Sequence, residues 1–149
     1  MTALTGTNTY SNVGSGALGT QRTITGTYAL AGALVAADTI TWSKLLPLGG
    51  GRVVRVELAF PELDTDTTPT GTWKVGDGTD DDGYILLSNI GLPAQAPANG
   101  LQMVQVGTGA LIGTVVTGRD VVLTVVGTMA TSATTGTILL NVTLESVAA

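Results

Sequence analysis

The stretch VGDGTDDDGY, from Val75 to Tyr84, holds the densest group of metal-ligating side chains in the sequence. Four aspartates fall within six residues, and carboxylate oxygens are the ligands that calcium prefers. An EF-hand loop needs ligands at positions 1, 3, 5 and 12 and a glycine at position 6. With Gly83 at position 6, position 1 falls on Gly78 and position 12 on Asn89, so the EF-hand pattern fails.

The same aspartates are compatible with two other interpretations. Asp77, Asp80 and Asp82 could form an irregular calcium cage, because calcium accepts varied oxygen geometries. Aspartate and glycine are also typical of tight turns, since they tolerate left-handed backbone geometry and make local side-chain turns. We expect an acidic turn between two strands and no cofactor, with calcium at these three residues as the alternative.

The composition removes most of the side chains that enzymes use. The sequence has no cysteine and no histidine, which excludes disulfides, thiolate nucleophiles and the commonest general acid or base near neutral pH. Glu57, Glu62, Asp64 and Asp66 could supply paired carboxylates for glycoside hydrolysis, but nothing in the sequence places two of them around a cleft. We therefore predict no catalytic residues and no enzymatic activity.

The low charge content limits the classes of partner. Charged residues make up 11% of the chain, against about 25% in an average soluble domain, and such a surface favours burial against another protein. The net charge of −5 and the lack of a basic run exclude a phosphate-binding surface, so we predict no nucleic-acid partner. The apolar stretch Ala29–Ala37 is about half the roughly 20 residues that span a bilayer, so we predict no membrane partner.

Trp42 and Trp73 are the only tryptophans, and each lies in a predicted strand. A strand tryptophan normally packs inward and donates its indole N–H to a partner, which is our first expectation for both. Exposed aromatic rings can instead stack on sugars. Trp42 and Trp73 are therefore the candidate residues of an alternative glycan-binding function.

Apolar and polar residues alternate from Tyr28 onward, which predicts β-strands rather than helices. On two segments the apolar residues share one face, which we expect to point inward: Val54, Val56, Leu58 and Phe60 on the first, and Ile138, Leu140, Val142 and Leu144 on the second. The segment Val121–Val126 is apolar on both faces, as expected of a central strand or of one covered by another subunit.

Short clusters of Gly, Pro, Asn and Asp separate eight or nine strand-like segments. This pattern predicts an all-β fold, an antiparallel β-sandwich of jelly-roll or Greek-key type, in one domain over residues 28–149. Threonine pairs spaced by two residues recur and could form a flat ice- or glycan-binding array, but their spacing along the chain is irregular. We interpret them as outward-facing strand residues: Thr5 and Thr7, Thr23 and Thr25, Thr39 and Thr41, Thr70 and Thr72, Thr135 and Thr137.

The first 27 residues are rich in Gly, Thr and Ser and hold few large apolar side chains. Such a segment has little to offset the entropy of ordering it alone, so it is either a frayed terminus or an arm that orders along a neighbouring subunit. For the arm, we predict that Tyr10, Leu18 and Arg22 contact a neighbouring subunit.

Three phrases of the sequence resemble the head decoration, or cement, proteins of tailed bacteriophages. They are ADTI followed by LLPLGGGRVVRVEL, then TWKVGDGTDDDGYI, and finally DVVLTVVGTMATSATTGTILLNVTL, and they cover most of the chain after Tyr28. The resemblance implies a small β-sandwich on the capsid exterior of a virion, forming a homotrimer that bridges neighbouring major capsid protein subunits. It implies no catalytic residue. The alternative function is a glycan-binding or adhesion module of a phage tail or fibre.

Overall fold

The computed structural model describes residues 1–10, 21–46, 50–66, 68–88 and 103–147. These residues form eleven β-strands, and no helix among them is long and apolar enough to cross a membrane. In chain order the strands are β1 Ala3–Thr5, β2 Thr7–Tyr10, β3 Gln21–Ala29, β4 Thr39–Trp42, β5 Gly51–Phe60, β6 Thr72–Gly76, β7 Ile85–Ser88, β8 Met103–Val106, β9 Val115–Val116, β10 Val121–Gly127 and β11 Thr137–Glu145.

The strands form two sheets. One has the order β1-β4-β10-β6-β7, and the other has the order β2-β3-β11-β5-β8, with β9 also paired to β5. The pairs are antiparallel except for the short parallel pair of β1 with β4. Many neighbours are distant in sequence, which is typical of Greek-key-like connections. The predicted all-β sandwich is confirmed, with eleven described strands instead of eight or nine.

The core lies between the two sheets and is formed by the predicted alternation. All four predicted inward residues of β11 are fully buried, as are Val121, Leu123 and Val125 on β10. β10 lies between β4 and β6, which confirms its predicted central position. Phe60 of β5 packs edge-on against Trp73 of β6, with ring centroids 4.9 Å apart, so this aromatic pair ties one sheet to the other.

The predicted inward face of β5 is wrong at Val54. Leu144 of β11 pairs with Val53, whereas the adjacent Thr143 pairs with Arg55, so Val54 is an extra residue in a β-bulge. The bulge reverses the alternation, which leaves Val54 exposed and buries Val53. Beyond the bulge the prediction is confirmed, because Val56, like Leu58 and Phe60, is buried.

The predicted division between an arm at residues 1–27 and a sandwich at residues 28–149 is also wrong. Residues 21–27 belong to β3, which pairs with β11 over its whole length, from Gln21 to Ala29. β1 and β2 add to the free edges of the two sheets of this same chain. A deletion up to Gly26 would therefore remove most of an internal strand. Residues 11–20 of the predicted arm lie outside the described residues.

Two glycines explain why this part of the chain looks poor in core residues. A β-carbon on Gly6 would lie 2.0 Å from the indole nitrogen of Trp42, and one on Gly26 would lie 2.6 Å from its Cδ1. The buried indole therefore occupies the space of both missing side chains. At Gly6, whose N–H donates to the Thr41 carbonyl at 2.8 Å, the chain passes from one sheet to the other.

Candidate functional site

The acidic loop joins β6 to β7 at one end of the sandwich. It closes as a tight turn, in which the Asp77 N–H donates to the Asp80 carbonyl at 2.9 Å and the Tyr84 N–H donates to the Val75 carbonyl at 3.0 Å. A β-carbon on Gly76 would lie 2.1 Å from the Asp80 carbonyl oxygen, so only glycine fits there. The expected acidic turn between two strands is confirmed.

Asp77 is the centre of this loop, and its carboxylate is fully buried. Oδ1 accepts hydrogen bonds from the Thr79 N–H at 2.8 Å, the Thr79 hydroxyl at 2.5 Å and the Asp80 N–H at 3.2 Å. Oδ2 accepts from Arg119 Nη1 at 2.7 Å. Burial alone would raise the pKa of Asp77, but the hydrogen bonds from Thr79 and Arg119 outweigh it and hold the pKa below its usual value.

The same carboxylate reaches two elements outside the loop. The Tyr84 hydroxyl donates to Asp77 Oδ2 at 3.4 Å, and burial together with the Asp77 charge raises the pKa of this phenol, so it stays protonated. Arg119, just before β10, also donates to the Thr79 hydroxyl at 2.5 Å. The network therefore fixes the acidic loop to the neighbouring strand, and each of these groups is held in a structural bond rather than activated for chemistry.

Replacing Asp77 by alanine is expected to lower the free energy of unfolding by about 2–3 kcal/mol, since it leaves loop N–H groups and Arg119 without their acceptor. Asp81 supplies the matched control, because its side chain is exposed and its ion pair with Lys74 lies at the surface. Asp81→Ala should cost about 0–1 kcal/mol. Urea denaturation of both variants measures the difference, and equal costs would contradict the anchoring role of Asp77.

The predicted calcium ligands are only partly brought together. The carboxylates of Asp80, Asp81 and Asp82 lie within 4.8 Å of one another, whereas Asp77 is turned to Arg119 and is not part of this group. A hydrogen bond that the protonated Asp82 shares with Asp80 raises the pKa of Asp82, and Lys74 pairs with Asp81. The absence of a cofactor therefore stays a prediction, which calorimetric titration with calcium would test.

A shallow cleft of about 310 Å³ opens beside the loop, lined by Lys44, Gly78, Thr79, Arg119 and Asp120. Lys44 has a left-handed backbone (φ 54°), an uncommon conformation for a bulky residue. Its N–H donates to Asp120 Oδ1 at 2.7 Å, and its Nζ donates to the Gly118 carbonyl at 3.2 Å. Of the two cations that line the cleft, Arg119 is therefore paired with the carboxylate of Asp77, whereas the ammonium group of Lys44 bonds to a backbone carbonyl.

The two tryptophans pack in the core, as first expected. Both are fully buried, and their Nε1 atoms donate to the Thr27 carbonyl at 3.1 Å from Trp42 and to Gln105 Oε1 at 3.2 Å from Trp73. Stacking on a sugar needs an exposed ring face. The alternative role of Trp42 and Trp73 as glycan-stacking residues is therefore wrong for this fold.

The predicted contact residues of the arm have different positions. Tyr10 ends β2 and pairs with Ile24, while Leu18 lies outside the described residues. Arg22 is half-buried near the start of β3 and donates from Nη2 to the Gly50 carbonyl at 2.8 Å, a contact within its own chain. Their role in contacts with a capsid or another subunit stays a prediction.

Two buried carboxylates, Asp64 and Asp38, have a structural role that the sequence section does not predict. Asp64 accepts hydrogen bonds from five backbone N–H groups: those of Thr70, Gly71, Ala130 and Thr131 at 2.9–3.1 Å and that of Asp66 at 3.4 Å. Asp38 accepts the N–H groups of Thr2 at 2.6 Å and Val35 at 2.9 Å. The sequence feature that indicates this role is their position in or beside turn segments, where aspartate commonly bonds to nearby backbone N–H groups. None of the four carboxylates considered for glycoside hydrolysis forms a pair across a described cleft.

Neither a protein-family model nor a curated protein matches this sequence. Two solved structures resemble it over most of both chains. A chain of the cyanophage Pam1 capsid asymmetric unit is 28% identical, with a TM-score of 0.66 and 91% of each chain covered. A chain of the capsid of Ralstonia phage GP4 is 22% identical, with a TM-score of 0.70, and the match covers 93% of this chain and 92% of the other. This protein is thus similar, in fold and over nearly its whole length, to chains found in the capsids of two bacteriophages.

Proposed function

We propose that this chain is a non-enzymatic structural protein of a bacteriophage virion. It binds the capsid exterior as a decoration, or cement, protein and bridges neighbouring subunits of the major capsid protein. The observation that carries the proposal is the similarity to the Pam1 and GP4 capsid chains over more than nine tenths of this chain. The sequence resemblance to decoration proteins supports the finer assignment.

The arrangement of the titratable groups is consistent with a structural role. The three buried carboxylates, Asp38, Asp64 and Asp77, all accept hydrogen bonds from nearby backbone or side-chain groups and have lowered pKa values. A general acid or base usually has a pKa tuned toward neutrality. The pKa values of these carboxylates are instead shifted away from neutrality. This suits permanently ionised groups that anchor loops rather than groups that exchange protons with a substrate.

We further propose that the protein acts as a homotrimer, with Tyr10, Leu18 and Arg22 near its contacts with the capsid or with other copies. In a symmetric shell, each weak contact is repeated many times, and linked contacts add through avidity. No single site then needs to be strong, which fits a chain without a deep pocket among its described residues.

The proposal is tested with virions and with capsids stripped of this chain. Electron microscopy of virions that carry a tagged copy should place the tag on the head exterior, and the purified chain added to stripped capsids should rebind and raise their thermal stability. Tyr10→Ala with Leu18→Ala should weaken rebinding, whereas Gly32→Ala, at an exposed site with open space around it, should not. A tag on the tail, or no rebinding by the unaltered chain, would refute the assignment.

A further inference from the structure

Part of one outer face of the sandwich carries no charge. It belongs to the second sheet, where the inward residues of β3 and β11, such as Ile24 and Val142, fill the core and the alternate residues point away from it. We call eight outward residues of β2, β3 and β11 the threonine face, and we leave out the outward residues at the strand ends, Gln21, Ala29, Thr137 and Glu145. The eight are Thr7, Thr9, Thr23, Thr25, Thr27, Leu139, Asn141 and Thr143. Six of these eight residues are threonine, and none is ionisable.

The threonine face is regular and its side chains are tied together. β3 and β11 pair without a register shift from Gln21 to Ala29, so the outward residues form straight rows across the strands. The Thr25 hydroxyl donates to Asn141 Oδ1 at 2.7 Å, and the hydroxyls of Thr23 and Thr143 lie 3.3 Å apart. These cross-strand bonds limit the side-chain entropy that an interface would otherwise lose on forming.

Charged side chains lie at the edges of the threonine face. Beyond β11, the next outward residues on β5 are the ion pair of Arg55 with Glu57 at 2.6 Å. At one end of the strands, Arg52 lies 4.0 Å from Glu145. An uncharged centre with a mixed-charge rim is the distribution found at protein interfaces, whose buried cores are depleted of charged residues.

We propose that the threonine face is the surface by which copies of this chain contact one another. The inference rests on the proposed function, because it names the partner of one face of a subunit in an assembly. Two copies each carry a net charge of −5, and an approach through the acidic loop would bring Asp80, Asp81 and Asp82 together with like charges. The threonine face avoids that repulsion.

The face is also suited to contact with a second copy of the chain. Each threonine hydroxyl is both a donor and an acceptor, so the face can exchange hydrogen bonds with the polar groups of a second copy around a three-fold axis. The rim pairs contain both signs of charge, so a second copy can offer an opposite charge to each of them. A partner with a strong net charge of one sign would find no net charge of the opposite sign on this surface.

The test measures self-association of the purified chain by sedimentation and light scattering over a dilution series. Thr25→Lys places a charge at the centre of the face, and Asn141→Asp adds one with almost no change in shape while keeping an acceptor for Thr25. Each should weaken association at least about tenfold, because a charge would be buried without a partner. Val126→Asp, at an exposed site on β10 of the other sheet, is the control and should leave association unchanged.

Folding is checked from the near-ultraviolet signal of the buried tryptophans, and if one variant does not fold, the other carries the test. Association of Thr25→Lys or Asn141→Asp at the unaltered strength would overturn the inference, as would loss of association in Val126→Asp alone. An unaltered chain that stays monomeric but rebinds stripped capsids would refute this inference and the proposed homotrimer, and would leave the proposed capsid binding standing. A chain that associates through the threonine face but does not bind stripped capsids would refute the proposed function and leave this inference standing.

Discussion

Asp64→Ala is expected to lower the free energy of unfolding by about 3–5 kcal/mol, because removal of this buried carboxylate leaves several backbone N–H groups without an acceptor. The carboxylate joins the segment at Thr70 and Gly71 to the segment at Ala130 and Thr131. Asp66→Ala, two residues away at a more exposed site, is the control and should have a much smaller effect. Chemical denaturation measures both variants, and comparable losses would show that Asp64 does not hold the two segments together.

The same carboxylate gives the stability a defined pH dependence. Burial would raise the pKa of Asp64, but four backbone N–H groups lower it to about 2, below the value of about 3.9 in an unfolded chain. The folded state therefore binds fewer protons than the unfolded state between these values, and the contribution of Asp64 is full above pH 4 and is lost as pH falls toward 2. Thermal unfolding of the wild type should show this loss, and Asp64→Ala should show less of it.

Trp42→Ala is the second large effect, with an expected loss of about 3–5 kcal/mol, as for other buried aromatic truncations. The indole is fully buried, fills the space over Gly6 and Gly26, and donates to the Thr27 carbonyl. Its removal would leave a cavity against β3 and would remove the hydrogen bond to the Thr27 carbonyl. Equilibrium unfolding in urea tests the prediction, with Trp42→Phe expected to lose less because most of the volume is kept.

A double-mutant cycle with Gly26 tests the cause of that effect. Gly26→Ala in the wild type should cost about 1–3 kcal/mol, because the new methyl group would overlap the indole ring. In the Trp42→Ala background the same methyl group enters the cavity, so its cost should vanish or change sign. Equal costs in both backgrounds would mean that the indole does not occupy the space of the missing side chain.

The strands that the sequence predicts best are those whose core residues have large side chains. On β11 the alternation from Ile138 to Leu144 is uninterrupted, and each apolar residue is buried as predicted. On β5 the bulge at Val54 depends on the pairing of Thr143 and Leu144, which no local pattern in β5 reveals. On β3 the core position at Gly26 is filled by the side chain of Trp42 from β4. The segment therefore lacks a large apolar residue of its own there, and its sequence predicts an arm rather than a strand.

The candidate site was predictable in its local part only. The turn around Asp77 follows from aspartate and glycine chemistry within one short segment, and the structure bears it out. The Arg119 partner lies 42 residues away and reaches Asp77 through the pairing of β6 with β10. Sequence spacing carries no information about such a contact, and the calcium hypothesis included Asp77 because the cation beside it was not visible.

The pairing of β3 with β11 has a consequence for how the chain folds. Thr23 and Thr143, whose hydroxyls meet on these strands, are 120 residues apart, so the middle of one sheet joins the two ends of the chain. Folds of high contact order fold slowly, commonly in milliseconds to seconds, because distant segments must meet before they are stabilised. During synthesis, β3 cannot pair with β11 until β11 has left the ribosome. Chains truncated before β11 therefore cannot complete this sheet.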